Sequence, residues 1–137
     1  MSAADGYQGT LITVAGDSPT DHGLVPTSGV AAFQYALLAG HPHELTQADV
    51  LFRTAYRDSP GDPDDLRTSH WDEFFAPPRA CLRTSPLPKK YGWGLHFDDQ
   101  GRVALVDVTS AEYRRFRNDP RLKVVPAMHS ARLRRIP

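Results

Sequence analysis

The sequence predicts one α+β domain over residues 1–137, a mostly antiparallel sheet of about five short strands with two to three helices. Three observations lead there. Strand-like segments cluster late in the chain with short turns between them, while helical segments stand singly, as in α+β arrangements. The 137 residues are 40% hydrophobic, enough for one domain that buries roughly two thirds of its unfolded surface. A single cysteine, Cys81, has no partner for an internal disulfide, so the fold must rest on its core. That cysteine usage also points to a reducing, cytoplasmic setting.

The elements follow in order. Thr10–Val14 is β-branched and apolar, a short strand, stopped by Gly16-Asp17-Ser18-Pro19. Ser28 is a good N-cap for a helix over Gly29–Ala39, with Gly40 and Pro42 as stop signals. Thr46–Asp58 admits two readings. Thr46 with Asp49 is a weak capping box, whereas Val50, Phe52, Thr54 and Tyr56 alternate with their neighbours; the alternation predicts a strand. Asp58–Thr68 holds two prolines, a glycine and four aspartates, so it reads as a mobile, exposed loop. Ser69 caps a short helix around Trp71–Ala76, ended by Pro77-Pro78. Strands are expected at Ala80–Ser85, Tyr91–Phe97 and Val103–Val108, the last two joined by Asp98-Asp99-Gln100-Gly101 with glycine where a positive φ is often needed. Thr109-Ser110-Ala111-Glu112 matches a capping box and opens a helix to about Arg117. Leu122–Val125 is a final edge strand before a basic C-terminal tail.

The formal net charge is zero, but it is unevenly spread. Residues 1–78 hold three basic and eleven acidic side chains, a net −8, and residues 79–137 hold thirteen and five, a net +8. The asymmetry reads either as attraction between halves or as a basic face that receives an anion. No apolar run approaches the ~18–20 residues of a spanning helix, and Met1–Gly6 lacks the pattern of a signal peptide. The late arginines, including Arg114, Arg115, Arg117, Arg121, Arg132, Arg134 and Arg135, lack the interleaved aromatic rings of a single-strand platform, which disfavours nucleic acid. There is no G-x-G-x-x-G, P-loop, H-E-x-x-H or G-x-S-x-G, so no cofactor or metal is expected. His41-Pro42-His43-Glu44 reads as a solvent loop, since no second ligand cluster has recognisable spacing.

The densest chemistry lies between Cys81 and His96. On a strand, Cys81, Arg83 and Ser85 share a face; Arg83 offers a bidentate fork, Ser85 a hydroxyl, and Cys81 either a nucleophile or a pocket wall. Each also has an ordinary structural role open to it, Cys81 as a small hydrophobe above all. On the next strand, Tyr91, Trp93, Leu95 and Phe97 share a core face, while Gly92, Gly94 and His96 share the other. Glycines inside a strand mark the close approach of a backbone, a ring or a ligand.

The same segment, Phe74-Phe75-Ala76-Pro77-Pro78-Arg79-Ala80-Cys81-Leu82-Arg83-Thr84-Ser85-Pro86-Leu87-Pro88-Lys89-Lys90-Tyr91-Gly92-Trp93-Gly94-Leu95-His96, resembles a family of small bacterial proteins known only as a domain of unknown function. Its signature is close to A-C-L-R-x-S-P-L-x-K-x-Y-G-W-G-x-H. The resemblance implies a shared fold and a shared site, and no reaction. The chain departs from that pattern at Ser18, where relatives often carry a cysteine, at Arg79, and at His129 and Ala131 in the basic tail.

The sequence therefore predicts a site for an anionic metabolite bearing a carboxylate or phosphate. Arg83, Ser85, Lys90 and Tyr91 would bind it, with His96 as acid or base and Cys81 as nucleophile or wall. An acid/base beside an anion clamp leans towards a cofactor-independent enzyme. The rival reading is a non-catalytic protein-interaction module using the same strand face.

Overall fold

The structure, a computed structural model, describes residues 7–129. Its strands are β1 (Thr10–Thr13), β2 (Leu45–Thr46), β3 (Trp93–Phe97), β4 (Arg102–Asp107) and β5 (Lys123–Pro126). They form one sheet in the order β2-β4-β3-β1-β5. β1 runs antiparallel to β3 but parallel to β5, so the sheet is mixed rather than wholly antiparallel. The helices are α1 (Gly29–Gly40), α2 (Gln47–Ala55), α3 (Pro63–Phe75), α4 (Pro86–Lys90) and α5 (Ala111–Arg117). The class is α+β as expected, with more helix than the sequence suggested. Among the described residues no helix is long and apolar enough to cross a membrane. The arginines of the tail, Arg132, Arg134 and Arg135, lie outside the described residues.

The two faces of the sheet bury different sets. Ile12, Leu95, Phe97 and Val103 face α1 and α4 in the main core, and Leu95, Phe97 and Val103 are wholly inaccessible. Leu11, Val106 and Tyr113 form a smaller cluster under α5. Alternation along β3 drives this split. Tyr91 and Trp93 pack on the main core only half-buried, and the indole N–H of Trp93 donates to the Leu24 carbonyl at 2.7 Å.

Three segments differ from the sequence-based expectation. Residues 46–58 are not a strand: the Thr46–Asp49 capping box forms, with Asp49 N–H on Thr46 Oγ1 at 3.2 Å and Thr46 N–H on the Asp49 carboxylate at 3.0 Å. Asp at N3 performs the reciprocal role usual for Glu. Ala48, Leu51, Phe52 and Ala55 were a helical repeat hidden inside the alternation. Residues 58–68 are not a bare loop, because Asp62 caps α3 with Pro63 at N1; the breakers were a helix start. Residues 80–85 are not a strand either. Leu82–Thr84 make one 3₁₀ turn, and Ser85 caps α4 by accepting the Leu87 N–H at 3.2 Å. Ser85-Pro86 is a cap-then-N1 signature. At α5 the cap is Ser110 rather than Thr109, its hydroxyl accepting from Tyr113 N–H at 3.0 Å.

Candidate functional site

Without a strand at 80–85, the alternation that gave Cys81, Arg83 and Ser85 a common face is gone, and each side chain has its own neighbourhood. Cys81 is half-buried, and its Sγ lies 3.2 Å from the hydroxyl of Tyr7. Burial, together with that contact, pushes the Tyr7 hydroxyl up to about 12 against the pull of Arg83, so the phenol stays protonated at neutral pH. Arg83 Nε donates to the Pro126 carbonyl at 2.6 Å, and the Arg83 carbonyl accepts Met128 N–H at 2.9 Å. Lys123 and Ala127 spend their N–H groups on Gly9 and Thr13. Val124 and Pro126 therefore face the open edge of the sheet, where proline has no donor and Arg83 occupies its carbonyl. Arg83 thus closes an edge strand.

Ser85 is 4% exposed and saturated. It donates to Gln34 Oε1 at 2.7 Å, Gln34 Nε2 donates to Thr54 Oγ1 at 3.1 Å, and Thr54 Oγ1 donates to the Val50 carbonyl at 2.6 Å. This chain ties α1, α2 and α4 together. A second buried glutamine, Gln47, accepts Leu82 N–H at 2.9 Å. Lys90 is exposed and Tyr91 half-buried.

The glycines are explained by a backbone and a ring. Gly92 has φ +78, and a Cβ there would stand 2.1 Å from the His22 carbonyl oxygen; a Cβ on Gly94 would stand 2.7 Å from the Tyr113 ring.

His96 lies across the sheet from Cys81. Tyr7, beside Cys81, packs edge-on to Phe97 at 5.5 Å between ring centroids. His96 precedes Phe97 and so points the other way, stacked on Phe116 of α5 at 3.9 Å. Its Nδ1 is 2.8 Å from His43 Nε2. His43 reaches it from the turn before β2 through a left-handed φ of 55°, rare for a side-chain-bearing residue. Burial, then the neighbouring His43, lowers the His96 pKa below 6.5, while Asp98, Glu112 and Asp99 oppose the shift. The structure therefore does not join His96 to Arg83 in one clamp. Among the described residues no three His, Cys, Asp or Glu side chains group to hold a metal ion.

A cavity opens elsewhere. About 220 Å³ lies between α1, α2 and the start of α3, walled by Phe33, Leu37, Phe52, Tyr56, Pro63 and Leu66. Arg53, in the last turn of α2, and Arg57, just past its C-cap Tyr56, also line it. Arg53 is half-buried and has no hydrogen-bond or ion-pair partner among the described residues. Arg57 donates to the Thr54 carbonyl at 2.6 Å and meets no carboxylate among the described residues.

Residues 2–133 match a family described as a family of unknown function, DUF6157. The chain belongs to this family. The match spans both the motif and the cavity-lining helices. No curated protein and no solved structure matches the chain. Sequence reasoning missed Tyr7, Gln34 and Gln47 and read His43 as part of a solvent loop; all four meet the motif only through the fold. It also passed over Arg53 and Arg57, whose signal was present: they are two of three basic residues in an acid-rich stretch of 78.

Proposed function

We propose that this protein binds a small molecule in the cavity between α1, α2 and α3, while the Cys81–His96 segment holds the fold together around it. One observation carries the reading: about 220 Å³ of space with mostly apolar walls and two arginines that have no acidic partner among the described residues. Ligand sites are concave, mostly apolar and furnished with a few polar groups, and this place combines all three. Its volume falls below the roughly 300 Å³ where drug-sized sites begin, so the ligand is metabolite-sized. Two of the motif's polar side chains are engaged with the protein itself, Ser85 with Gln34 and Arg83 Nε with the Pro126 carbonyl.

The test uses N-phenyl-1-naphthylamine, a neutral fluorescent probe. Its emission should rise with the native protein and fall away in Leu66→Trp, which fills the cavity from α3. Emission unchanged by the wild type, or equal in the variant, would sink the proposal.

A further inference from the structure

Resting on that reading, we infer that the ligand is a monocarboxylate with a flat apolar body, and that Arg53 is the residue that receives its charge. The acid-rich stretch of residues 1–78 has eleven carboxylates and three arginines. Carboxylates are plentiful, yet among the described residues only Arg67 of the three is paired, with Asp49. Among the described residues Arg53 and Arg57 have no acidic partner, and both line the cavity. Arg53 is the more telling, because the residue is half-buried at the cavity wall and its guanidinium has no partner among the described residues. An anion would supply the missing partner, and a planar carboxylate fits the fork of an arginine in a bidentate pair.

The surroundings narrow the choice further. Arg57 already spends one Nη on Thr54, so a single free fork and a partial second suit one negative charge better than two. Asp58, Asp62, Asp64 and Asp65, all exposed, flank the rim residues Ser59, Gly61 and Pro63, and their field opposes a dianion such as a phosphate monoester. Phe33, Phe52 and Tyr56 provide flat walls for a ring or a branched apolar group.

The experiment compares three probes that share one naphthyl body, titrated into the full chain by calorimetry: 1-naphthylacetate, 2-(1-naphthyl)ethanol and 1-naphthyl phosphate. The acetate should bind at least tenfold more tightly than the alcohol, and the phosphate no more tightly than the acetate. Arg53→Gln should cost the acetate roughly ten- to a hundredfold in affinity, the scale of a charge-assisted hydrogen bond, and leave the alcohol unchanged. That last comparison guards against a folding defect, which would weaken both. If the alcohol and the acetate bind alike and Arg53→Gln alters neither, the cavity binds ligands but the charge assignment is overturned. Tightest binding by the phosphate would overturn the monocarboxylate. If none of the three binds, the binding reading itself falls, and this inference with it.

Discussion

The sheet with its motif and the helical layer of α2 and α3 solve opposite problems. Around β3 the chain removes space: Gly92 and Gly94 are bare so that a backbone and a ring can approach, and Leu95 and Phe97 are wholly buried. Around α3 the chain leaves space. No residue of that 13-residue helix is buried. It leans on α2 and its C-cap through its own half-buried rings, Trp71 5.3 Å from buried Phe52 and His70 stacked on Tyr56 at 5.4 Å. Local opening costs least where few groups are buried, so the layer that holds the cavity is also the layer best able to admit a ligand. A motif dense in polar residues marks the rigid half here, and the sparse arginines mark the open one.

The largest effect should separate the halves by the same mutation. Gly92→Ala meets both a positive φ and a carbonyl oxygen 2.1 Å away, whereas Gly61→Ala meets a φ of +112 and open space. The first should lose about 3 kcal/mol or more and the second about 1 kcal/mol, in urea unfolding at neutral pH. Equal losses would break the comparison.

Next in size is the polar chain behind the motif. Ser85→Ala leaves Gln34 Oε1, in a residue only 4% exposed, without its donor. A loss of about 2 kcal/mol is expected, against roughly half a kcal/mol or less for exposed Lys90→Ala. If Ser85→Ala were equally mild, Ser85 would be free for a ligand and the motif would regain its claim to a site.

A pH profile examines the rigid half from its other face. Burial and His43 hold the His96 pKa below its ordinary 6.5. The native state then takes up a proton less readily than the unfolded chain, so stability declines as pH falls below 6.5 and levels off beneath the folded value. Asp98 and Asp107 are held below 3.8, and their contribution, present above that value, is lost only in stronger acid. His96→Gln should therefore flatten the stability curve just below about pH 6.5. An unchanged slope would show that the His43–His96 contact carries no proton linkage.

How much of this was legible in the sequence depends on the reach of the signal. β1, α1, the β3–β4 hairpin and α5 were readable because cap, period and turn agree locally; Gly101 does adopt a positive φ, +80. The α2 segment carried both periods at once, and the weaker-looking capping box decided it. The glycines correctly announced close approach, but which group approaches Gly92 or Gly94 depends on residues 70 and 19 positions away, His22 and Tyr113. The expected grouping of Cys81, Arg83 and Ser85 rested on a shared strand, with His96 on the next one. Ser85-Pro86 instead starts a helix, and the sheet separates Cys81 from His96. The cavity was invisible in the sequence, since it exists only where three helices fail to close.

The smallest expected effect concerns the tie between α2 and α3. Arg67 pairs with Asp49 and lies over the Trp71 ring at 4.0 Å. Burial pushes the Asp49 carboxyl up, but the Thr46 N–H and the Arg67 guanidinium outweigh it and hold it below its ordinary 3.8. Much of that stabilisation belongs to the helix cap and not to the arginine, whose side chain is 52% exposed. Arg67→Ala should consequently cost under about 1 kcal/mol of global stability, while Asp49→Ala, which also removes the cap, should cost about 1–2 kcal/mol. The arginine should act locally instead. With one of its few ties to α2 removed, α3 opens more often, and hydrogen exchange of residues 63–75 should quicken while exchange in β3 and β4 stays at the wild-type rate. Uniform quickening across both regions would mean that α3 opens only with the whole molecule. The contrast between a rigid sheet and an admitting helical layer would then fail at its most sensitive point.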